Sequence, residues 1–336
     1  MKKGALSLGS RPLGEGQPCL VVAHVGEGHG GEVDDALRLI EAAFQGGADA
    51  IAFSVFRAAD LLARRHPHRQ ELEATELTAR EWRTVLEAAK GSGLAVVAEA
   101  YDTASRDLAA EAGVDAFQAH PTDLDHPELL RALAAARRPL FLGACGAEEP
   151  LVREALGVAG GMAALLVGPP AAPAAAEELR LSELASLRER FRVPVGLLDP
   201  TDGGSAFALL APALAAAHGA DFVEKALTLD RTRKARDRAA LSPEDFYRMV
   251  ELLRQAERAR GDGESHAHRA AARGRSIVAA SLIGRGEAIT AEKLCFKRTD
   301  ERFERGLSPA EAHRVIGRRA ARPIQADETI REDMLE

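Results

Sequence analysis

The fold is decided by an alternation that begins with CLVVAHV at residues 19–25 and DDALRLIEAAFQGGA at residues 34–48. The first stretch is a short, continuous apolar run, which is typical of a strand buried on both faces of a parallel sheet. The second has apolar residues at three- and four-residue spacing and ends in glycine, which predicts an amphipathic helix. Together they predict one strand followed by one helix of an α/β protein.

The same alternation recurs, so that eight strand-like runs lie between Cys19 and Asp230. The seven later runs are AIAFSVF, AVVAEAY, AFQAH, PLFLGAC, AALLVG, PVGLLD and FVEKAL. Helix-like stretches such as AREWRTVLEAAKGSG and PELLRALAAARR lie between them. Eight such units over roughly 250 residues predict a (β/α)8 TIM barrel, whose functional residues come from the C-terminal ends of the strands.

Composition narrows the class of protein. The formal net charge of −7 gives no electrostatic reason to expect binding to nucleic acid or to a membrane surface. The three cysteines are far apart in sequence and odd in number, which favours reduced thiols in a cytoplasmic protein over a disulfide framework. The first residues lack the apolar segment of a signal peptide, and no apolar run reaches the length of a membrane span. We therefore expect a cytoplasmic protein.

The chain divides into four parts. Residues 1–18 form an N-terminal extension, residues 19–256 the barrel, residues 257–274 a linker, and residues 275–336 a small β-rich domain. The linker is polar, contains glycine and has no periodicity. A domain of about 60 residues has a thin hydrophobic core, so we expect it to be stabilised by docking on a barrel.

Several motifs resemble sialic acid synthases, which make N-acetylneuraminate or related nonulosonic acids. They are G-x-x-H-x-G after the first strand, LEATELTAREW before the third, VGLLDPTDGG before the helix of strand eight, and FVEKALTLDRT in the eighth. The tail from RSIVAA through KLCFKR to IREDMLE resembles the antifreeze-like (SAF) domain of that family. The resemblance is collinear from about Cys19 to Glu336, and it implies a TIM barrel followed by an SAF domain.

The resemblance also implies an activity and an assembly. The family condenses phosphoenolpyruvate with an N-acetylated hexose, uses a divalent Mn or Mg ion, and caps the barrel mouth with the SAF domain of the partner subunit. By analogy we expect a homodimer with exchanged SAF domains and a sugar or sugar-acid ligand. Arg298 matches the family arginine that reaches into the partner's barrel to hold the sugar.

Most family site positions are substituted in this chain. The two family lysines of strands two and four correspond to Ala52 and Gln118, and the Asn of strand six corresponds to Pro170. The two metal-binding histidines correspond to Pro200 and Ala226, neither of which can ligate a metal. Because phosphoenolpyruvate needs cationic or N–H partners, these changes predict loss of both the metal site and the condensation.

Other ionisable residues stand at the strand ends and are the candidates for a site. The candidate catalytic residues are His24, Glu99, His120, Asp199 and Glu224, with His24 and His120 as candidate ligands of a new metal site. The candidate substrate-binding residues are His29, Asp123, Lys225 and Arg298. An alternative interpretation is that these groups are only solvated or hydrogen-bonded to one another, and that an ion pair involving Glu224 and Lys225 closes the barrel.

Two hypotheses follow for the function. In the first, the protein is a synthase-family homologue that has lost the condensation and serves as a binding, scaffolding or regulatory partner in surface-sugar biosynthesis. In the second, it is an enzyme with a rebuilt barrel mouth that acts on a sugar or sugar acid, or that performs the old reaction with new residues. Convergence of His24, Glu99 and His120 on a shared metal centre distinguishes the second hypothesis from the first.

Overall fold

The computed structural model describes residues 6–232, 235–261, 274–299 and 306–336, and it divides into two compact units, Met1–Gly261 and Asp262–Glu336. Eight parallel strands of the first unit close into a barrel. Its strands in chain order are β3 (Leu20–Gly26), β4 (Ala50–Val55), β5 (Ala95–Ala100), β6 (Ala116–Ala119), β7 (Leu140–Gly143), β8 (Ala163–Val167), β9 (Val195–Asp199) and β10 (Phe222–Ala226). Strand β10 pairs with β3, so the predicted TIM barrel is confirmed.

Helices alternate with the strands around the outside of the barrel. They are α1 (Val33–Gln45), α2 (Ala58–Leu61), α3 (Arg69–Glu73), α4 (Ala79–Gly91), α5 (Thr103–Glu111), α6 (Pro127–Ala135), α7 (Glu149–Ala159), α8 (Glu183–Phe191), α9 (Phe207–Ala217) and α10 (Pro243–Arg260). Several begin at residues that cap free backbone N–H groups: Thr78 and Glu81 form a capping box at α4, and Asp102 accepts from Ser105 N at α5. The sequence therefore fixes where these helices begin.

The side chains of the strands alternate between two cores. Inward-facing residues such as Val22, Ala52 and Val97 pack together inside the barrel. The residues between them, such as Ala23 and Phe53, pack against the surrounding helices. Because successive residues of a strand point to opposite faces, this parity decides which polar residues reach the barrel mouth.

The N-terminal extension closes the opposite end of the barrel. Strands β1 (Leu6–Leu8) and β2 (Arg11–Leu13) form an antiparallel hairpin. Leu8 and Leu13 are buried in the interior core together with Leu20 at the start of β3. The hairpin seals the N-terminal end of the barrel, which leaves the C-terminal end as the open one.

The second unit is a small β-rich module. Strands β11 (Ser276–Ala279) and β12 (Leu294–Lys297) pair antiparallel, and the short helix α11 spans Ala312–Val315. Its core is built from branched aliphatic residues including Ile277, Ile283 and Ile324. This agrees with the predicted SAF domain, and the fold class is confirmed.

Helix α10 ends at Arg260, so its last turn lies within the segment that the sequence interpretation assigned to the linker. Residues 262–273 of that linker lie outside the described residues. Among the helices that the structure describes, none has both the length and the apolar character needed to span a bilayer.

Candidate functional site

A layer of polar side chains tops the barrel interior at the C-terminal ends of the strands. It contains His24 of β3, Ser54 of β4, Glu99 of β5, Gln118 of β6 and Glu224 of β10. Below it, the barrel interior is apolar. His24, Ser54, Glu99 and Glu224 line a cavity of about 270 Å³ at this end, together with Tyr101 and His120. This is the position where barrel enzymes bind and transform their substrates.

Glu99 lies at the centre of the hydrogen bonds in this layer and is almost completely buried. Ser54 Oγ and Tyr101 OH each donate to Glu99 Oε2 at 2.7 Å, and Gln118 Nε2 donates to Oε1 at 3.4 Å. Burial alone would raise the pKa of Glu99, but the imidazoles of His24 and His120 and the two hydroxyl donors lower it below its usual value. Glu99 is therefore a fixed carboxylate at neutral pH.

His24 lies between the two buried carboxylates. Its Nδ1 is 3.1 Å from Glu224 Oε1, and its Nε2 is 3.8 Å from Glu99 Oε2, too far for a hydrogen bond. Burial disfavours the imidazolium, yet the charges of Glu224 and Glu99 outweigh that effect and raise the pKa of His24 to about 9. His24 is accordingly a cation at neutral pH, with an N–H at Nε2.

Tyr101 and His120 form the wall of the cavity on one side. The two rings lie 5.6 Å apart between centroids, and Nδ1 of His120 lies 2.7 Å from Thr122 Oγ1. Burial and the neighbouring Glu99 raise the pKa of Tyr101 well above its usual value. The phenol therefore stays protonated, and its O–H donates the hydrogen bond to Glu99. The phenol of Tyr101 and the imidazole of His120 therefore line the cavity.

Lys225 and Asp199 do not serve this layer as the sequence interpretation expected. Lys225 Nζ lies 3.0 Å from Asp199 Oδ2, and both side chains are fully buried. Because Glu224 points into the barrel, its neighbour Lys225 points outward, where it also donates to the backbone oxygen and the hydroxyl of Thr201. Of the two, only Asp199 reaches the cavity wall. The ion pair that closes this part of the barrel joins Lys225 to Asp199, so its expected pairing with Glu224 is wrong.

Three further candidates lie elsewhere. His29 is buried in the loop after β3, where its Nδ1 accepts from Gly31 N and its ring packs edge-on against Trp82. Asp123 lies in the 3₁₀ turn Pro121–Asp123 after β6, and burial raises its pKa. Arg298 is exposed just after β12 in the second unit. His29 and Asp123 do not line the cavity, so the structure does not place them in the substrate-binding position that the sequence predicted.

Ser54, Gln118 and Tyr101 belong to the polar network but were not among the predicted site residues. Gln118 was noted only as the replacement of a family lysine. Strand parity would have identified them: counting in steps of two from the apolar Ala52, Val97 and Ala116 leads to Ser54, Tyr101 and Gln118.

The site does not fit the family's divalent metal ion. Pro200 and Ala226, which the sequence resemblance aligned with the two family histidines, line the cavity and offer no side-chain donor. Within residues 6–232, 235–261, 274–299 and 306–336, no three His, Cys, Asp or Glu side chains stand together in a way that could hold a metal ion. His24, Glu99 and His120 therefore form no metal centre of the kind that the enzyme hypothesis required.

Comparison with protein families matches both units. The family model described as NeuB family matches residues 39–265, and the SAF domain model matches residues 274–336. The two matches are in the same order as the resemblance seen in the sequence and cover both parts of the chain.

Individual relatives agree with this result. The chain is 27% identical to an N,N'-diacetyllegionaminic acid synthase of Legionella pneumophila, over 96% of each chain. It matches the structure of the spore coat polysaccharide biosynthesis protein SpsE of Bacillus subtilis with a TM-score of 0.68 and 25% identity over 99% of each chain. A sialic acid synthetase of Leptospira borgpetersenii matches in fold, with a TM-score of 0.74 over 80% of this chain and 94% of that one, at 23% identity.

Proposed function

The chain belongs to the NeuB family of sugar acid synthases related to surface sugar biosynthesis, and on this premise we propose that it acts in such a pathway without catalysing the family condensation. In this proposal the barrel is retained as a binding, scaffolding or regulatory module. It acts in the cytoplasm, where its three cysteines stay reduced.

One observation carries the proposal: uncharged side chains stand at the two barrel-mouth positions that the resemblance aligns with family lysines. Ala52 and Gln118 occupy the positions of the two family lysines. Gln118 is neutral, and its amide is committed to the carboxylates of Glu99 and Glu224 at 3.4 and 3.2 Å. A phosphate and a carboxylate brought into this layer would meet two buried carboxylates without the lysines that would neutralise them.

We expect no phosphate release that depends on both phosphoenolpyruvate and N-acetylmannosamine, with Mn²⁺ or Mg²⁺ present. A coupled phosphate assay measures this, and the Legionella synthase with its own substrates serves as the positive control. Release above background that requires both substrates would refute the loss of the condensation. Tight, stoichiometric Mn²⁺ binding, measured by elemental analysis after dialysis, would count against it as well.

We further propose that the protein is a homodimer in which each SAF domain covers the partner's barrel mouth. Support comes from the family match of both units and from the thin core of the small unit, which favours docking. In this arrangement Arg298, which is exposed, approaches the cavity of the partner subunit.

Sedimentation at micromolar concentration is expected to give twice the mass of one chain. In dimers mixed from ¹⁴N- and ¹⁵N-labelled protein, cross-linked peptides should join the SAF domain of one isotope to the barrel of the other. A monomer, or cross-links confined to chains of one isotope, contradicts the exchange.

A further inference from the structure

We propose that the cavity at the barrel mouth binds a hydroxyl-rich ligand that carries a protonated amine, of the amino-sugar class, and does not bind a sugar acid. The cavity measures about 270 Å³ and is lined by His24, Glu99, Tyr101, His120 and Glu224 among other residues. This inference rests on the proposed loss of the condensation, because it assigns a different ligand charge to the same site.

The charge of the polar layer favours a cation. Glu99 and Glu224 are each about 2% exposed or less, and His24 supplies one positive charge between them. Two carboxylates and one imidazolium leave the layer with one net negative charge. In a buried site such a charge attracts an ammonium group and repels a carboxylate or a phosphate, because little water is present to screen it.

Glu224 leaves a hydrogen-bond acceptor open for the amine. Its contacts with His24 Nδ1 and Gln118 Nε2 both run to Oε1. The side chain of Glu224 lines the cavity, so its Oε2 is the oxygen that remains to accept from a ligand. An ammonium N–H makes a charge-assisted hydrogen bond to such a carboxylate oxygen.

The polar layer also offers a donor for a hydroxyl group. Nε2 of His24 is buried and has no hydrogen-bond partner, since Glu99 Oε2 is 3.8 Å away. A ligand oxygen next to the amine could accept from it. A hexosamine carries an amine and a hydroxyl group on adjacent ring carbons, so one such molecule supplies both the donor for Glu224 and the acceptor for His24.

A metal ion is less suited to this negatively charged layer than an ammonium group is. In the described part of the chain, no three potential ligands are arranged around one centre. A divalent ion would therefore keep few protein ligands, whereas an ammonium needs only one open carboxylate oxygen and the neighbouring polar groups. The geometry thus favours an organic cation.

The test compares ligands that differ at one position of the ring. Isothermal titration at pH 7 is carried out with glucosamine, galactosamine and mannosamine, with their N-acetylated forms, and with glucuronic acid and phosphoenolpyruvate. At least one hexosamine should bind, with a Kd roughly tenfold to a hundredfold below that of its N-acetylated form, as expected for a charge-assisted hydrogen bond. The two acids should not bind.

A matched pair of variants locates the bound amine. Glu224→Gln removes the charge but keeps the size, and it should weaken hexosamine binding by roughly tenfold or more. Glu87→Gln makes the same charge change at an exposed position of α4 and should leave the Kd unchanged. If Glu224→Gln does not fold, the ligand series on the unmodified protein still decides the question.

The inference is overturned if no hexosamine binds, if the N-acetylated forms bind equally well, or if Mg²⁺, Mn²⁺ or Ca²⁺ competes with the amine at equal concentration. Its failure is separate from that of the proposed function. Condensation activity without amine binding refutes the proposed function and the ligand assignment together. If neither condensation nor amine binding is found, the proposed loss of condensation stands and only the ligand assignment is refuted.

Discussion

Replacing Lys225 by methionine is expected to lower the free energy of unfolding by about 3–5 kcal/mol, as for other buried ion pairs that lose one partner. Its Nζ lies 3.0 Å from Asp199 Oδ2, and both side chains are fully buried. The substitution leaves the Asp199 carboxylate without its counter-charge, and it also removes two hydrogen bonds to Thr201. Urea denaturation at pH 7, followed by circular dichroism, measures the change.

Two controls separate a lost charge partner from lost packing. Adding Asp199→Asn to Lys225→Met should recover much of the stability, because no buried charge then remains unpaired. Arg248→Met, which breaks an exposed pair with Glu244 on α10, should cost less than about 1 kcal/mol. The hypothesis fails if Lys225→Met costs no more than Arg248→Met.

The same pair shows what the sequence could and could not reveal. The eight apolar runs predicted the barrel correctly, because buried parallel strands are continuously apolar. That same continuity hides the side-chain direction, since both faces of each strand are buried. Lys225 was therefore assigned to the mouth together with Glu224, although its side chain points to the outer layer, where it pairs with Asp199.

Polar residues within a strand indicate which of its side chains point into the barrel. His24, Ser54, Glu99, Gln118 and Glu224 all share the parity of the inward-facing apolar residues that precede them in the same strands. Side chains of like parity at the ends of neighbouring strands must meet. The meeting of His24 with Glu99 and Glu224 was thus within reach of the sequence.

Strand parity gives no information about residues in loops. His29 and Asp123 follow strands that were correctly predicted, but the conformation of a loop depends on tertiary contacts such as the packing of His29 on Trp82. Their positions outside the cavity lining could not be predicted from their spacing in the sequence. The proposed contacts of Arg298 with a second subunit likewise cannot be derived from one chain.

The stability of the protein is expected to fall as the pH rises from about 6.5 to 9, because of His24. Its pKa is raised from 6.5 to about 9 in the folded protein. Between these two values the folded state binds the proton and the unfolded state does not, so the unfolding free energy decreases with increasing pH. The stabilisation is complete below pH 6.5, amounts to about 3 kcal/mol for a shift of this size, and is lost above pH 9.

Two measurements check this expectation. The His24 ring resonances, assigned by their absence from the spectrum of His24→Gln, should titrate with a midpoint near pH 9. Urea denaturation at pH 6.5 and 9.5 should give a larger loss of stability for the unmodified protein than for His24→Gln. The variant is the appropriate reference because every other ionisable group is common to both proteins.

In His24→Gln the stabilising proton of the imidazolium is absent, so the variant should lose less stability than the unmodified protein between pH 6.5 and 9.5. A midpoint near 6.5, or equal losses in both proteins, would mean that the carboxylates do not hold the imidazolium. The barrel mouth would then carry two net negative charges at neutral pH instead of one.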